Sequence, residues 1–182
     1  MELSDLRKLF GEAKKLGRES EFVVIGSLSI LGLVQEASEI PARMLMSIDV
    51  DCYTKRDPAR IFALAHKLGQ GSEFEEQNGY YLDPVSPDVA TLPDGWEGRL
   101  VRQPLGDGIV AFFLDPNDAA VSKYARGEPR DREWAKAGLE AGLLSAPVIQ
   151  ARFRTTAFLD PAESERAHKA LSEDRAAMKN VS

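Results

Sequence analysis

Residues 21–53 read EFVVIGSLSILGLVQEASEIPARMLMSIDVDCY. Phe22-Val23-Val24-Ile25 is a short run of aromatic and β-branched residues, the pattern of a strand buried on both faces. Gly26 ends it. Ser27 to about Ala37 then predicts a helix with Leu28, Leu31 and Val34 along one face, and Ser38-Glu39-Ile40-Pro41 breaks that helix. Met44 to Tyr53 reads as a second strand. Within it Asp49 and Asp51 stand two apart and so share a face, while Ile48 and Val50 point into the opposite layer. Two like charges side by side repel unless a cation or a proton lies between them. With a Gly-Ser turn nearby, the pair points to metal-assisted chemistry on a phosphate.

Each of these residues has a plainer reading. Gly26 lets a ligand approach the backbone, the helix start offers unpaired N–H groups, and Ser27 adds a hydroxyl for a phosphate oxygen. Gly-Ser is also an ordinary strand-to-helix turn with a cap. Two unpaired carboxylates in an apolar strand are costly to bury, and Mg²⁺, which favours hard oxygen ligands, compensates them. The alternative is a solvated sheet face, or pairing with Arg43 or Lys55. A third carboxylate would hold a second ion or activate an attacking hydroxyl. Asp83 is the preferred candidate, because a strand paired beside the Asp49–Asp51 strand brings it to the same edge. Asp115, at the end of a later strand, and Asp131 remain open, and both Asp83-Pro84 and Asp115-Pro116 are also common turn openers.

Working outward, the 182 residues suit one domain with a helical appendage, divided as an α/β core over 1–117 and a helical region over 118–182 packed on it. The 43% hydrophobic content fills a core. A net charge of −6 and a pI near 5.1 argue against general DNA or RNA coating. The only cysteine is Cys52, which excludes an intrachain disulfide and a thiolate metal cluster, and His66 and His168 lack zinc-ligand spacing. Cys52 reads as a small core residue and His66 as structural. The first residues carry acids and no continuous apolar run, and Ile25–Val34 is too short to span a membrane. A cytoplasmic protein is expected.

Elsewhere, residues 4–16 predict an amphipathic helix capped by Ser4, with Leu6, Leu9, Phe10 and Ala13 inward. Asp57-Pro58 starts another helix, whose apolar face is Ile61, Leu64, Ala65 and Leu68. Tyr80-Tyr81-Leu82 reads as a strand. Arg99–Val101 and Ile109–Leu114 form two more, joined by a Gly106-Asp107-Gly108 turn. From there the pattern is helical: about 118–126 with Asp118 as cap, then 130–142, 147–157 and 161–179, with a polar, frayed end. Lys123, Arg126, Arg130 and Arg132 form a basic group, with Asp131 among them, that can cradle a triphosphate or an RNA backbone. Lys123 is the strongest of these, since it lies inside its helix; Arg132 reads as an ordinary solvated position. Trp96, Trp134, Tyr80 and Tyr81 can stack on a base, but core or edge packing accounts for most of them.

A strand, Gly26-Ser27, a helix and an Asp49-Val50-Asp51 strand together resemble the nucleotidyltransferase superfamily that includes DNA polymerase β and the minimal nucleotidyltransferases. The 21 residues between Ser27 and Asp49 exceed the minimal form's usual gap, and that insertion, with Arg43 and Ser47, looks more like the AbiEii-type toxins. FLDPNDAAVSKYARGEPRDREWAKAGLEAGLL, residues 113–144, is similar to their tract in which a helix after an Asp carries a Lys, followed by Arg and a basic-Asp pair: here Asp118, Lys123, Arg126 and Arg130-Asp131. A related bacterial family of unknown function fits as well. The resemblance covers about residues 20–145. It implies a mixed β-sheet flanked by helices, Mg²⁺, and transfer of a nucleoside monophosphate from an NTP to RNA (tRNA among the candidates) or protein, with an antitoxin as partner. Asp49, Asp51 and Asp83 would hold metal, Gly26, Ser27, Arg126 and Asp131 the nucleotide, and Lys123 the leaving pyrophosphate. A nucleotide-binding or protein-interaction module of the same fold without turnover is the rival expectation.

Overall fold

The computed structural model describes residues 1–33 and 37–179. In chain order its main elements are α1 (Leu3–Gly17), β1 (Glu21–Val24), α-less 3₁₀ turns over Gly26–Gly32, Ala37–Glu39 and Ala42–Leu45, then β2 (Asp49–Thr54). A 3₁₀ stretch over Pro58–Leu64 runs into α2 (Ala65–Leu68), followed by α3 (Glu73–Asn78) and β3 (Tyr81–Pro84). The hairpin of β4 (Val101–Gly106) and β5 (Ile109–Phe113) leads to α4 (Pro116–Arg126), α5 (Pro129–Glu140), α6 (Ala146–Phe153) and α7 (Pro161–Lys179). This is the mixed α/β fold with a C-terminal helical segment that the sequence predicts.

The five strands form one sheet in the order β3-β2-β1-β5-β4. The apolar run of β1 sits at the centre, antiparallel to β2 and parallel to β5, and Phe22, Val23 and Val24 are buried. Helix α1 covers one face through Leu6, Leu9, Phe10 and Ala13, all fully buried, and Phe10 stacks on Phe22 with ring centroids 4.3 Å apart. Its cap is Glu2 rather than Ser4: Asp5 accepts from the Glu2 backbone N–H at 2.8 Å in a capping box. One hydrophobic cluster runs from Leu6 in α1 to Leu171 in α7. No helix among the described residues is long and apolar enough to cross a membrane.

Several elements differ from expectation. The segment after β1 is a seven-residue 3₁₀ helix, not an α-helix; Leu28 and Leu31 are buried as the pattern requires, and Val34 lies outside the described residues. The second strand starts at Asp49 rather than Met44, so Ile48 is 52% exposed instead of inward, while Val50 and Cys52 are fully buried. Helix α4 begins two residues early because Asp115, not Asp118, caps it by accepting the Asn117 N–H at 2.8 Å. Asp118 is instead buried against Arg99 at 2.9 Å and Arg152 at 3.0 Å. Arg132 is not a free surface cation: it donates to Asp174 at 3.0 Å and to Glu173 at 2.6 Å, which fixes α7 on α5. His66 is exposed rather than packed.

Candidate active site

The sheet itself assembles the acidic group. Alternation along β2 puts Asp49 and Asp51 on one face, with Val50 and Cys52 buried behind them. Strand β3 runs parallel to β2 in a register that sets Asp83 directly opposite Asp51 and Tyr81 opposite Asp49. Neighbours across a sheet share a face, so Asp83 joins the pair from the side. One carboxylate oxygen from each of Asp49, Asp51 and Asp83 lies within 4.8 Å of the others, a group that can hold a metal ion. Asp115 does not belong to it, being taken up by its cap and by Arg152 at 2.6 Å. Asp131 is committed to the cations described below.

The group is electrostatically unbalanced. Burial, the neighbouring Asp49 and then Asp83 push the Asp51 carboxyl up to about 7, against the weaker opposing pull of Lys123 and Arg126. Burial and Asp49 also raise Asp83, although a hydrogen bond with Asp51 works the other way. The cations that would balance Asp49 and Asp51 without a metal are engaged elsewhere: Arg43 pairs with Glu133, and Lys55 lies over the Phe112 ring at 4.3 Å. The Ser47 hydroxyl donates to Asp49 and orients it. Three converging oxygen donors with too little positive charge are the donor set that a hard divalent cation fits.

Gly26 is fixed by Asp51. The Ile25 N–H donates to the Asp51 carbonyl at 2.9 Å, which holds the end of β1 against β2. Gly26 then turns with φ +70°, and a Cβ there would overlap Oδ2 of Asp51. Only glycine fits, for both the backbone angle and the space.

A basic group carried by α4 and α5 shares a cleft with the acids. Parallel pairing of β5 with β1, with the Leu114 N–H donating to the Val24 carbonyl at 2.9 Å, aims the start of α4 at the end of β1. Two turns in, Lys123 donates to the Ser27 hydroxyl and to Asp131, both at 2.9 Å, and lies 4.9 Å from the centre of the Trp134 ring. Gly127 takes the left-handed conformation that ends α4, and the chain returns as α5, bringing Asp131 back. Arg126 grips Asp131 with two hydrogen bonds of 2.6 Å. Burial alone would raise Asp131, but Arg126 and Lys123 hold it below the usual carboxylate range; burial pulls Lys123 down. Trp134 is packed, not offered for stacking, and its indole N–H donates to the Ser27 carbonyl at 3.2 Å.

A cleft of about 800 Å³ brings together Gly26, Ser27, Asp49, Asp51, Asp83, Lys123, Arg126 and Asp131. Tyr80, Tyr81 and Trp96 are not among its lining residues. Sequence reasoning gave Met46, Val89, Thr91, Leu159 and Glu163 no part in the site and placed Ile48 in the opposite layer, yet all six line it. These positions, in loops and short turns and at the start of α7, lie far apart in the chain and carry no shared periodic signal that would have found them. No curated protein and no solved structure matches the chain. A family model described as a nucleotidyltransferase of unknown function matches residues 4–180, well beyond the stretch of about 20–145 whose motifs carry the resemblance. That match spans nearly the whole sequence, and the chain belongs to this family, DUF6036.

Proposed function

We propose that the protein is a magnesium-dependent nucleotidyltransferase that moves a nucleoside monophosphate from an NTP to an RNA or protein acceptor. The observation that carries this reading is the convergence of Asp49, Asp51 and Asp83 in a cleft that Lys123 and Arg126 also line. Asp49, Asp51 and Asp83 would hold Mg²⁺, which when bound supplies the positive charge that the carboxylates and the NTP phosphates both require. Ser27, its hydroxyl held by Lys123, contacts the β/γ-phosphates; the bare Cα of Gly26 keeps their approach open. This contact rests on a hydroxyl and an ammonium rather than on a helix dipole, since the segment is a short 3₁₀ turn.

In the transfer, an acceptor oxygen forms a bond to the α-phosphorus, and the bond from that phosphorus to the bridging oxygen breaks. The pyrophosphate leaves with the electron pair, Lys123 and Arg126 stabilise its charge, and Asp83 receives the acceptor's proton. Asp131 keeps both cations aimed at the cleft. The resemblance to AbiEii-type toxins supports a cellular setting in which the protein is the toxin of a toxin–antitoxin pair.

The test is pyrophosphate release and transfer of label from an α-labelled NTP, compared between the wild type and Asp49→Ala, alongside growth on expression. Loss of transfer and of any growth arrest in Asp49→Ala is expected. Transfer that survives Asp49→Ala overturns the reading. NTP binding by calorimetry without pyrophosphate release, with every acceptor supplied, would leave a nucleotide-binding module.

A further inference from the structure

Eight large hydrophobic side chains are exposed among the described residues, and four of them, Met46, Ile48, Val89 and Leu159, line the one cleft that holds the carboxylates. Scattered exposed apolar residues need no explanation, but half of them gathered at one site do. Met46 and Ile48 come from the segment that leads into β2. Val89 and Leu159 come from two loops tied together: Pro93 bridges to Thr156, the Asp94 N–H donates to the Thr155 carbonyl at 2.8 Å, and the Thr91 hydroxyl donates to Glu163 at 3.4 Å. Glu163 also accepts the Leu159 N–H at 2.5 Å, which holds a leucine that is 86% exposed at the rim.

The charges of the cleft are as informative. Its cations are Arg43, Lys123, Arg126 and Arg130. Arg43 pairs with Glu133, and Lys123 and Arg126 share Asp131, so Arg130 alone has no ion pair among the described residues. A nucleic-acid acceptor needs cations along its phosphates and aromatic faces for its bases. Among the described residues the cleft has a single aromatic side chain, Trp134, which is buried beneath Lys123. The chain as a whole carries −6.

From this we infer that the acceptor is a protein: the hydroxyl of a Ser, Thr or Tyr on an exposed segment whose flanking apolar side chains dock on Met46, Ile48, Val89 and Leu159. The inference rests on the nucleotidyl transfer proposed above and names its acceptor class. The hydroxyl oxygen takes the place of the general acceptor oxygen, the product is a phosphodiester between that side chain and the nucleoside, and pyrophosphate is released as before.

The experiment supplies the full chain, Mg²⁺ and the four α-labelled NTPs with two acceptor pools from one cell extract: nuclease-treated protein, and protein-free total RNA. Label in the protein pool is expected, with mass spectrometry locating the added nucleoside monophosphate on a hydroxyl side chain. The paired change Met46→Ser with Leu159→Ser is expected to lower that labelling at least tenfold, with NTP affinity by calorimetry unchanged within twofold. Ile48→Ser with Val89→Ser is expected to do the same, and all four positions are exposed enough for the variants to fold. Label in the RNA pool and not in protein overturns the protein acceptor, and protein labelling that neither pair of changes reduces overturns docking on these four side chains; either result leaves nucleotidyl transfer standing. Label in neither pool, with NTP bound, overturns nucleotidyl transfer itself.

Discussion

The two charged groups of the cleft, one on the sheet and one on the helices, handle charge in opposite ways. At the sheet end, Asp49, Asp51 and Asp83 crowd together with no ion pair to a cation among the described residues, and burial with the neighbouring Asp49 and Asp83 pushes Asp51 up to about 7. At the helix end, Lys123 and Arg126 enclose Asp131, which is 1% exposed and satisfied on both oxygens. The first group is held in place by a sheet register that strand pairing enforces whatever the charges cost. The second is held by the charges themselves. A site built to receive a cation must carry such an imbalance; one built to present cations must keep them from wandering.

Several substitutions break or sharpen that contrast, the largest effect first. Asp49→Ala removes a donor at the unbalanced end and should lower transfer by on the order of 10³-fold, the scale of losing a main electrostatic contact in a site. The same change should leave the thermal midpoint unchanged or raise it, because it relieves repulsion; a large fall in the midpoint would mean that the carboxylates hold the fold rather than the substrate. At the satisfied end, Asp131→Ala strands a buried Lys123 and should destabilise by about 3 kcal/mol, read by denaturant unfolding. A loss of activity with stability intact would show Asp131 to be a ligand-contacting group instead.

Gly26→Ala tests how tightly the sheet end is packed. It forces an alanine into the left-handed region and against Asp51, and should destabilise by roughly 1–3 kcal/mol while weakening Mg²⁺ binding by calorimetry. The smallest effect is a pH dependence. The Asp51 carboxyl titrates near 7 when folded and near its ordinary 3.8 when unfolded, so the folded state binds the extra proton between those values. Its contribution to stability is therefore present at low pH and is lost as pH rises from about 4 to about 7. Mg²⁺ competes with that proton, so its affinity should be about tenfold weaker at pH 6 than at pH 8, measured by calorimetry at both. An affinity flat across that range would place the metal away from Asp51.

The sheet end was the more legible of the two in the sequence. Period-two alternation fixes Asp49 and Asp51 on one face, and the preference for Asp83 over Asp115 followed from expecting the Tyr80–Leu82 strand beside them. The helix end was legible as a list of residues but not as a network. Nothing local says that Lys123 reaches Ser27, 96 positions away, or that Arg132 finds Asp174 instead of water. Asp115 and Asp118 are both good caps by type, and only the position of Arg99 and Arg152 decides which one is buried. Helix α3 went unread because six residues, four of them Glu or Gln, carry too little apolar periodicity. The 3₁₀ form of Gly26–Gly32 has the same cause: the inward residues of an α-helix and of a short 3₁₀ helix are nearly alike over two turns.

The pairing of Asp51 with Asp83 makes the site unequally tolerant of copying errors. Between Thr54 and Tyr81 the chain crosses turns and short helices that can absorb an inserted or deleted residue at the surface. Within Tyr81–Pro84 the same error would slide the edge strand by one position, present Leu82 or Pro84 beside Asp51, and send Asp83 to the opposite face. Four residues thus act as a reading frame for the third carboxylate, and variation in length across this family should accumulate on either side of them and stop at their borders.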